Sequence, residues 1–538
     1  MKHLRRLVEG LPRRVQQLLV THSLLGAVST TATLMILTLS AQNAQAGTPN
    51  LLWLLGLILT VLLFAATQAS LLGTLAEEMG AFVHRQRVAI FQDIRQATPT
   101  VLASVGRQPL HAMLTRDTQL VAQQLPMILM GLQQAVLLVF VSFYLAYLSL
   151  MAFVAAAFFA ALALGFHSHR MGVLAQEKRQ AVADEAELFD GLRDMLGGFK
   201  ELKLSRARRA SLTEAMARAS ERTCDANSSI QRRWGRQYAL VQIIFHGLIG
   251  IMVFVAPLLV EHYQSVAVSA TTAVLFMLGP ISTLAMVLPA VGEVENALRG
   301  IDALRRQLRE ALDAEPEEDG QPLAARVTHI ELRDLRFRHA ERDGTPGFAV
   351  GPISARFDSG QVTFITGGNG AGKSTLLQLL TGLLQPRSGQ LLVNGQPLAV
   401  GQAQAFRDQV SAVFSDFHLF RQLYGITPPT PERAEALLDW VEMRGKVSLE
   451  QGRFSTTELS SGQRKRLALL LVELEDHPII VLDEWAADQD PHFRQVFYEQ
   501  ILPALRARGK LLICVTHDDR YFAVADQVLH LDEGRLRQ

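Results

Sequence analysis

Charged side chains are missing from four long stretches of this sequence. No Asp, Glu, Lys or Arg lies inside the intervals Arg14 to Glu77, Asp117 to Arg170, Arg236 to Glu261 and Glu261 to Glu293. A charge at mid-bilayer costs about 3 kcal/mol on insertion scales, and a spanning helix needs about 20 apolar residues. The first two intervals have room for two spans each and the last two for one each. The sequence therefore predicts a membrane domain of six helices.

Cysteine and net charge are also scarce. The two cysteines, Cys224 and Cys514, lie far apart, so the sequence has neither a disulfide framework nor a CxxC metal site. A formal net charge of +1 gives no overall basic field, which argues against a nucleic-acid partner. The predicted spans contain no Asp or Glu that could relay protons, which argues against a proton-coupled carrier.

The orientation of the spans follows from the loops between them. The predicted spans cover about 18–41, 51–73, 124–146, 150–167, 238–260 and 270–291. The loop within each consecutive pair has no Lys or Arg, and the third and fourth spans meet in a very short turn near Tyr147. Segments 74–123 and 168–236 hold many arginines. Because cationic loops stay in the cytoplasm, both termini are predicted to be cytoplasmic.

The N-terminus resembles a secretory signal, because basic residues precede an apolar run. That run, Leu18 to Ala41, is longer than the apolar region of a signal peptide. We therefore interpret residues 1–17 as a basic amphipathic helix on the inner membrane face.

The cytoplasmic segments are predicted to continue the spanning helices, because charged and apolar residues alternate at helical spacing. Glycines in Phe189–Lys200 suit a short transverse helix or an ordinary helical turn. An acidic stretch containing Pro and Gly predicts a linker over 313–325, after a membrane domain of residues 1–312. Residues 326–538 alternate β-rich and helical patterns, which predicts a soluble α/β domain.

A glycine-rich segment separates a predicted strand, 362–366, from a predicted helix that begins near Leu376. It consists of Gly367, Gly368, Asn369, Gly370, Ala371, Gly372, Lys373, Ser374 and Thr375, and fits the phosphate-loop (P-loop) pattern G-x-x-x-x-G-K-[ST]. Glycines let the backbone N–H groups approach the phosphates of ATP, and the helix N-terminus adds partial positive charge. Lys373 is predicted to reach the β- and γ-phosphates, and Ser374 to ligate Mg²⁺.

Three further motifs are predicted to lie around this loop. An apolar run ends in Asp483, predicted to hold Mg²⁺, and Glu484, predicted to deprotonate the attacking water. A second helix is predicted to have an N-terminus that can bind phosphate, formed by Ser460, Ser461, Gly462 and Gln463. His517 ends another apolar run and can contact the γ-phosphate.

With these motifs the chain resembles a half-size ABC exporter, in which six spans precede one ATPase domain. Leu459–Gln463 is similar to the family signature LSGGQ, with Ser461 in place of a glycine. The resemblance implies that the signature of one copy completes the ATP site of a second copy. It also implies that Asp490 belongs to the D-loop and that His339 takes the place of an adenine-stacking tyrosine.

The resemblance has one informative departure, at the place of the Q-loop glutamine. Ser415 stands there and is too short to reach Mg²⁺ directly, so a role through water for Ser415 or Asp416 stays open. Segments 414–420, 484–491 and 516–522 closely resemble bacterial exporters of cyclic peptides and siderophore peptides. The exporters of the pyoverdine precursor, of syringomycin-type lipopeptides and of lasso microcins belong to that group.

This resemblance implies an ATP-driven exporter of a peptide-derived molecule, which works as a homodimer among the lipids of the bacterial inner membrane. A flippase for lipid or lipid A and a membrane-anchored regulatory ATPase are the alternatives. The polar residues of the spans either line a cargo cavity or join helices to one another: Gln68, Gln133, Gln134, Gln242 and His246.

Overall fold

The computed structural model describes residues 2–10, 12–45, 51–259, 266–310, 322–323, 325–339 and 347–537. They form two compact units: Met1–Phe91 with Gln108–Leu304, and Gln92–Arg107 with Arg305–Gln538. Apart from residues 322, 323 and 325, the predicted linker over 313–325 lies outside the described residues. The boundaries predicted for the two domains, 1–312 and 326–538, stay predictions.

The N-terminal part of the chain is helical. Its α-helices are α1 Lys2–Glu9, α2 Arg13–Gln45, α3 Leu52–Gln96, α4 Pro99–Val105, α5 Arg107–Ala112, α6 Thr118–Leu148, α7 Leu150–Gly197, α8 Phe199–Leu204, α9 Arg206–Gly250, α10 Ala256–Leu259 and α11 Ala267–Glu310. Two π-helical turns, Met113–Asp117 and Ile251–Val255, precede α6 and α10.

Each predicted span lies in a helical stretch, although residue 260 of the fifth span is outside the described residues. Among the residues that the structure describes, five stretches are long and apolar enough to cross a membrane: Arg13–Asn43, Leu52–Gln96, Arg107–Leu148, Arg206–Leu258 and Ala267–Arg309. Leu150–Ala163, the apolar stretch found in α7, is shorter. The predicted helical continuation of the spans is confirmed, because α3, α7 and α9 extend well beyond them.

The turn between the third and fourth spans is a single residue. Ser149 follows the end of α6, and its Oγ accepts a hydrogen bond from the Ala152 N–H group at 3.3 Å. A serine in this position caps the free N–H groups of the following helix. The very short turn predicted near Tyr147 is therefore confirmed.

The short cytoplasmic helix begins later than the prediction over Phe189–Lys200. Helix α7 continues through Gly191, and the break falls at Gly198, immediately before α8. Gly191 packs against α9, since a Cβ added there would lie 3.3 Å from Met216 Cγ. Packing against a neighbouring helix therefore offsets the low helix propensity of this glycine.

The second unit contains all the strands found among the described residues. They are β1 His329–Arg338, β2 Ala349–Asp358, β3 Val362–Thr366, β4 Ser388–Val393, β5 Gln396–Pro397, β6 Val410–Val413, β7 Leu449–Glu450, β8 Arg453–Phe454, β9 Ile479–Asp483, β10 Leu511–Val515, β11 Gln527–Asp532 and β12 Arg535–Arg537. The α-helices among them are α12 Lys373–Leu380, α13 Ala403–Arg407, α14 Pro431–Trp440, α15 Ser461–Glu475, α16 Pro491–Val496 and α17 Leu502–Ala507.

The main sheet has the strand order β12-β11-β3-β10-β9-β6, and all its neighbours are parallel except β11 and β12. Every residue of β3, β9 and β10 is buried, as expected for parallel strands covered on both faces. A smaller antiparallel sheet has the order β2-β1-β4-β5, and β7 pairs with β8.

The register of the main sheet brings the predicted motifs together. Val515 of β10 pairs with Ile365 of β3 on one side and with Asp483 of β9 on the other. Ligands of parallel α/β sheets bind at the carboxyl ends of the strands. The glycine-rich segment, Asp483 and the residues after Val515 therefore share the edge at which a ligand site is expected.

Candidate active site

The glycine-rich segment connects β3 to α12 at this edge. Gly367 has φ +147°, and a Cβ added there would lie 2.1 Å from the Leu531 carbonyl oxygen of β11. Only glycine fits so close to a neighbouring backbone. Lys373 is 6% exposed, and its Nζ donates hydrogen bonds to the carbonyl oxygens of Gly367 at 2.9 Å and Gly368 at 3.1 Å. The ammonium group therefore lies over its own loop, where a P-loop lysine meets phosphate.

A hydroxyl and a carboxylate meet beside this lysine. Ser374 Oγ donates a hydrogen bond to Asp483 Oδ2 at 3.0 Å. Asp483 is 2% exposed. Burial raises the pKa of Asp483, while hydrogen bonds from Ser374 and Ser415 act in the opposite direction. Hydroxyl and carboxylate oxygens are the hard ligands that Mg²⁺ prefers, so both residues fit the predicted metal site.

Ser415 contacts the same carboxylate through its backbone. The Ser415 N–H group donates to Asp483 Oδ2 at 3.4 Å. The segment that replaces the Q-loop glutamine is thus next to the predicted metal site. The role of Ser415 through water stays a prediction.

Glu484 and His517 form the other side of the site. His517 Nε2 is 3.3 Å from Glu484 Oε1, and Lys373 Nζ is 3.9 Å from the same oxygen. Both Glu484 and His517 are partly exposed, so water can reach the carboxylate. A carboxylate near a lysine and a histidine at a phosphate site can accept a proton from an attacking water.

His339 lies at the far end of the glycine-rich segment. Its Nε2 is 3.0 Å from Thr375 Oγ1, and its ring lies edge-on to Phe337, with 5.0 Å between the ring centroids. The structure thus brings His339 to the phosphate loop. Its stacking on adenine stays a prediction.

The signature residues make their polar contacts elsewhere. Ser460 Oγ accepts a hydrogen bond from Gln463 N at 3.3 Å, and Gln463 Oε1 accepts one from Ser460 N at 3.1 Å. These reciprocal bonds form a capping box at the exposed start of α15. Ser461 is the first residue of α15 and is exposed. The helix N-terminus is therefore open to a partner.

Behind the signature, α15 packs against residues 488–490, the predicted D-loop. A Cβ at Gly462 would lie 2.4 Å from the Asp488 carbonyl oxygen, and Gln489 Nε2 donates to the Gly462 carbonyl oxygen at 3.0 Å. Asp490 Oδ1 caps α16 by accepting from Phe493 N at 3.0 Å. The D-loop and the signature are therefore held together within one chain.

Two buried cations of α15 were not predicted as site residues. Lys465 donates to the Glu484 carbonyl oxygen at 2.7 Å, and Arg466 bonds Gln489 at 2.9 Å and pairs with Asp490. The available signal was their position next to a run of leucines, since charged residues on an apolar helix are buried only when paired. Sequence alone does not show with which residues they pair.

Comparisons with known proteins agree with this geometry. The family model described as ABC transporter matches residues 350–487. ATP-binding protein SyrD of Pseudomonas syringae pv. syringae is 34% identical over 90% of this chain and 87% of its own length. An ATP-dependent lipid A-core flippase of Alkalilimnicola ehrlichii is 31% identical over 50% of this chain and 46% of its own length.

A solved structure shows the same fold. It is titled "Structure of a bacterial Atm1-family ABC exporter with ATP bound", and it matches 98% of this chain and 95% of its own with a TM-score of 0.80 at 17% identity. The predicted fold class, a six-helix membrane domain followed by an α/β P-loop ATPase domain, is confirmed. The chain therefore belongs to the ABC transporter family, as a half-size exporter of the inner membrane that hydrolyses ATP with a cytoplasmic ATPase domain.

Proposed function

We propose that two copies of this chain form an exporter with two ATP sites, each built from the P-loop of one copy and the signature of the other. The supporting observation is the N-terminus of α15, where Ser460 and Ser461 are exposed. The chain has one P-loop and one signature. Two identical chains therefore supply the parts of two complete sites.

The chemistry of each site follows from the residues at the sheet edge. Lys373 holds the β- and γ-phosphates, and Glu484 takes the proton of the attacking water while His517 contacts the γ-phosphate. Ser374 and Asp483 are the residues that would hold Mg²⁺. When bound, this ion neutralises negative charge on the β- and γ-phosphates.

ATP binding and hydrolysis drive alternating access in this proposal. Two ATP molecules at the interface favour closure of the ATPase domains and an outward-facing membrane domain, and hydrolysis returns the dimer to the inward-facing state. A ligand shifts such an equilibrium only by its preference for one state. Cargo therefore has to bind the inward-facing state more tightly than the outward-facing one.

We infer a peptide-derived cargo of cyclic-lipopeptide or siderophore-precursor size, and the observation that favours it is a pair of amide oxygens in the membrane domain. Within the residues that the structure describes, the buried Oε1 atoms of Gln68 and Gln133 have no hydrogen-bond partner. Gln133 is 3% exposed, and a Cβ at Gly26 would lie 2.6 Å from its Nε2. Gly26 thus makes room for this side chain between α2 and α6.

Unpaired amide oxygens in an apolar interior are costly, and the N–H groups of a peptide can satisfy them. Gln242 differs, since its Nε2 bonds Tyr238 Oη at 2.9 Å and Ser282 Oγ at 3.0 Å. It joins α9 to α11. Among these three glutamines, Gln242 joins two helices, whereas Gln68 and Gln133 each keep an unpaired amide oxygen that suits a hydrogen-bonding cargo.

Peptide stimulation of the ATPase tests this proposal. In nanodiscs, cyclic lipopeptides and acylated siderophore-precursor peptides are expected to raise the rate of phosphate release. Gln133→Leu should raise the half-stimulating peptide concentration about fivefold, because one hydrogen bond of about 1 kcal/mol is lost. Gln242→Leu is the matched control and should leave that concentration unchanged. Stimulation by phospholipid or lipid A alone, without binding of any peptide, would contradict the cargo.

A lipid flippase is the second candidate, because proteins named ATP-dependent lipid A-core flippase match up to 65% of this chain at 27% identity. The nanodisc experiment separates the two candidates by which molecule stimulates. A membrane-anchored regulatory ATPase would respond to neither.

A further inference from the structure

The backbone at Glu484 is held in an unusual conformation. Glu484 has φ +49° and ψ +37°, in the left-handed region that residues with a side chain rarely adopt. Such residues cluster at functional sites and persist only where the surroundings hold them in place. The orientation of the predicted base therefore depends on the groups that bind its peptide units.

Three hydrogen bonds hold the backbone of Glu484. The Glu484 N–H group donates to the Val515 carbonyl oxygen of β10 at 3.1 Å. The Glu484 carbonyl oxygen accepts from Lys465 Nζ at 2.7 Å and from the Ala487 N–H group at 3.3 Å. The first bond belongs to the sheet edge, the bond from Lys465 comes from the signature helix and is the shortest, and the bond from Ala487 closes the following turn.

Several contacts restrict the position of Lys465. It is 5% exposed, and its Nζ pairs with Asp488 Oδ2 at 2.9 Å. In return, Trp485 Nε1 donates to the Lys465 carbonyl oxygen at 2.8 Å, and the buried Trp485 ring stacks on Phe497. A buried ammonium with a counter-ion and reciprocal backbone bonds has little freedom to move.

We propose that Lys465 is a positioning residue for ATP hydrolysis. It orients the Glu484 carboxylate by donating a hydrogen bond to the Glu484 backbone carbonyl oxygen. This inference rests on the proposed role of Glu484 as the base. Lys465 lies two residues after Gln463 in the same helix. In the proposed dimer, the signature contacts the ATP bound by the partner, and Glu484 acts on the ATP bound by its own chain. Lys465 therefore connects the two ATP sites.

A second buried lysine, Lys510, provides a matched control, because it bonds Asp476 at the C-terminal end of α15. Lys510 is 2% exposed, and its Nζ donates to the Asp476 carbonyl oxygen at 2.7 Å and to the Asp476 carboxylate. Asp476 follows the end of α15 and also has a positive φ, +52°. The two lysines thus share burial, an aspartate partner and a left-handed carbonyl acceptor, and only Lys465 bonds the predicted base.

Steady-state ATPase kinetics of the full-length protein in nanodiscs test the proposal. Lys465→Met is expected to lower kcat by about 10- to 100-fold, because a misplaced catalytic group loses rate, with KM for ATP within about twofold of wild type. Lys510→Met should lose thermal stability but keep kcat within about twofold of wild type. If Lys465→Met does not fold, Lys465→Leu, which also lacks a donor, replaces it with the same expected decrease in kcat.

A double-mutant cycle distinguishes positioning from a structural role. In a Glu484→Gln background, Lys465→Met should cause almost no further loss of turnover, because the group that it positions is already gone. A decrease in kcat smaller than tenfold for Lys465→Met, or an equal decrease in the Glu484→Gln background, would overturn the proposal. If Glu484→Gln itself keeps normal turnover, the assignment of the base fails instead.

Discussion

Replacing Glu484 by glutamine is expected to leave ATP binding intact and to slow turnover by about 10² to 10⁴, the usual contribution of a positioned general base. Glutamine has nearly the same shape but cannot accept the proton of the attacking water. Lys373, Ser374 and Asp483 are unchanged in this variant, so the phosphate and metal contacts stay in place. Phosphate release and nucleotide binding are measured on the same purified protein.

The control is a glutamate far from the phosphate loop in sequence and role. Glu499 is exposed and accepts a hydrogen bond from Gln495 at 2.9 Å on one helical surface. Glu499→Gln should keep turnover within about twofold of wild type, since surface substitutions have small effects. Similar turnover of the Glu484 and Glu499 variants would refute the assignment of the base.

Mixing two inactive chains is expected to restore activity. Lys373→Ala removes the phosphate lysine, and Ser460→Arg blocks the start of α15. In a mixed dimer both defects fall in one composite site, and the other site has an intact P-loop and an intact signature. If the sites work independently, the mixed dimer should have about half of the wild-type turnover, while both unmixed dimers should have almost none.

The mixed dimer is isolated by two different affinity tags, and its bound nucleotide is counted. One ATP per dimer with restored turnover supports composite sites. Tight coupling between the sites could abolish turnover, but one ATP would still bind tightly. A mixed dimer that neither hydrolyses nor retains ATP would contradict the composite arrangement.

The membrane helices could be predicted from the sequence, because the signal for each of them lies within its own segment of the chain. Long intervals without charge have one physical explanation in a chain of this kind, and the described residues of the six predicted spans lie in helices apart from Leu51. The start of α8 could not be predicted, because Gly191 stays helical through its packing against Met216 of another helix. Contacts of that kind depend on the tertiary structure.

In the ATP site, too, some features could be predicted from the sequence and others could not. The P-loop and His517 follow buried strands and Asp483 ends one, and parallel strands bring such ends to one edge, so their proximity was predictable. Lys465 was not predictable as a partner of Glu484. The leucines beside Lys465 indicate a buried position, but only the packing of α15 against residues 484–488 shows which carbonyl oxygen the lysine bonds.

ATP-dependent uptake of a labelled cyclic lipopeptide into proteoliposomes tests the central claim most directly. ATP and Mg²⁺ added outside act only on molecules whose ATPase domains face outward, and these should carry the peptide into the lumen. The wild-type protein is predicted to accumulate peptide when ATP is present, and the Glu484→Gln variant is predicted not to. ATP-dependent movement of labelled phospholipid without any uptake of peptide would contradict the claim that this protein is a peptide exporter.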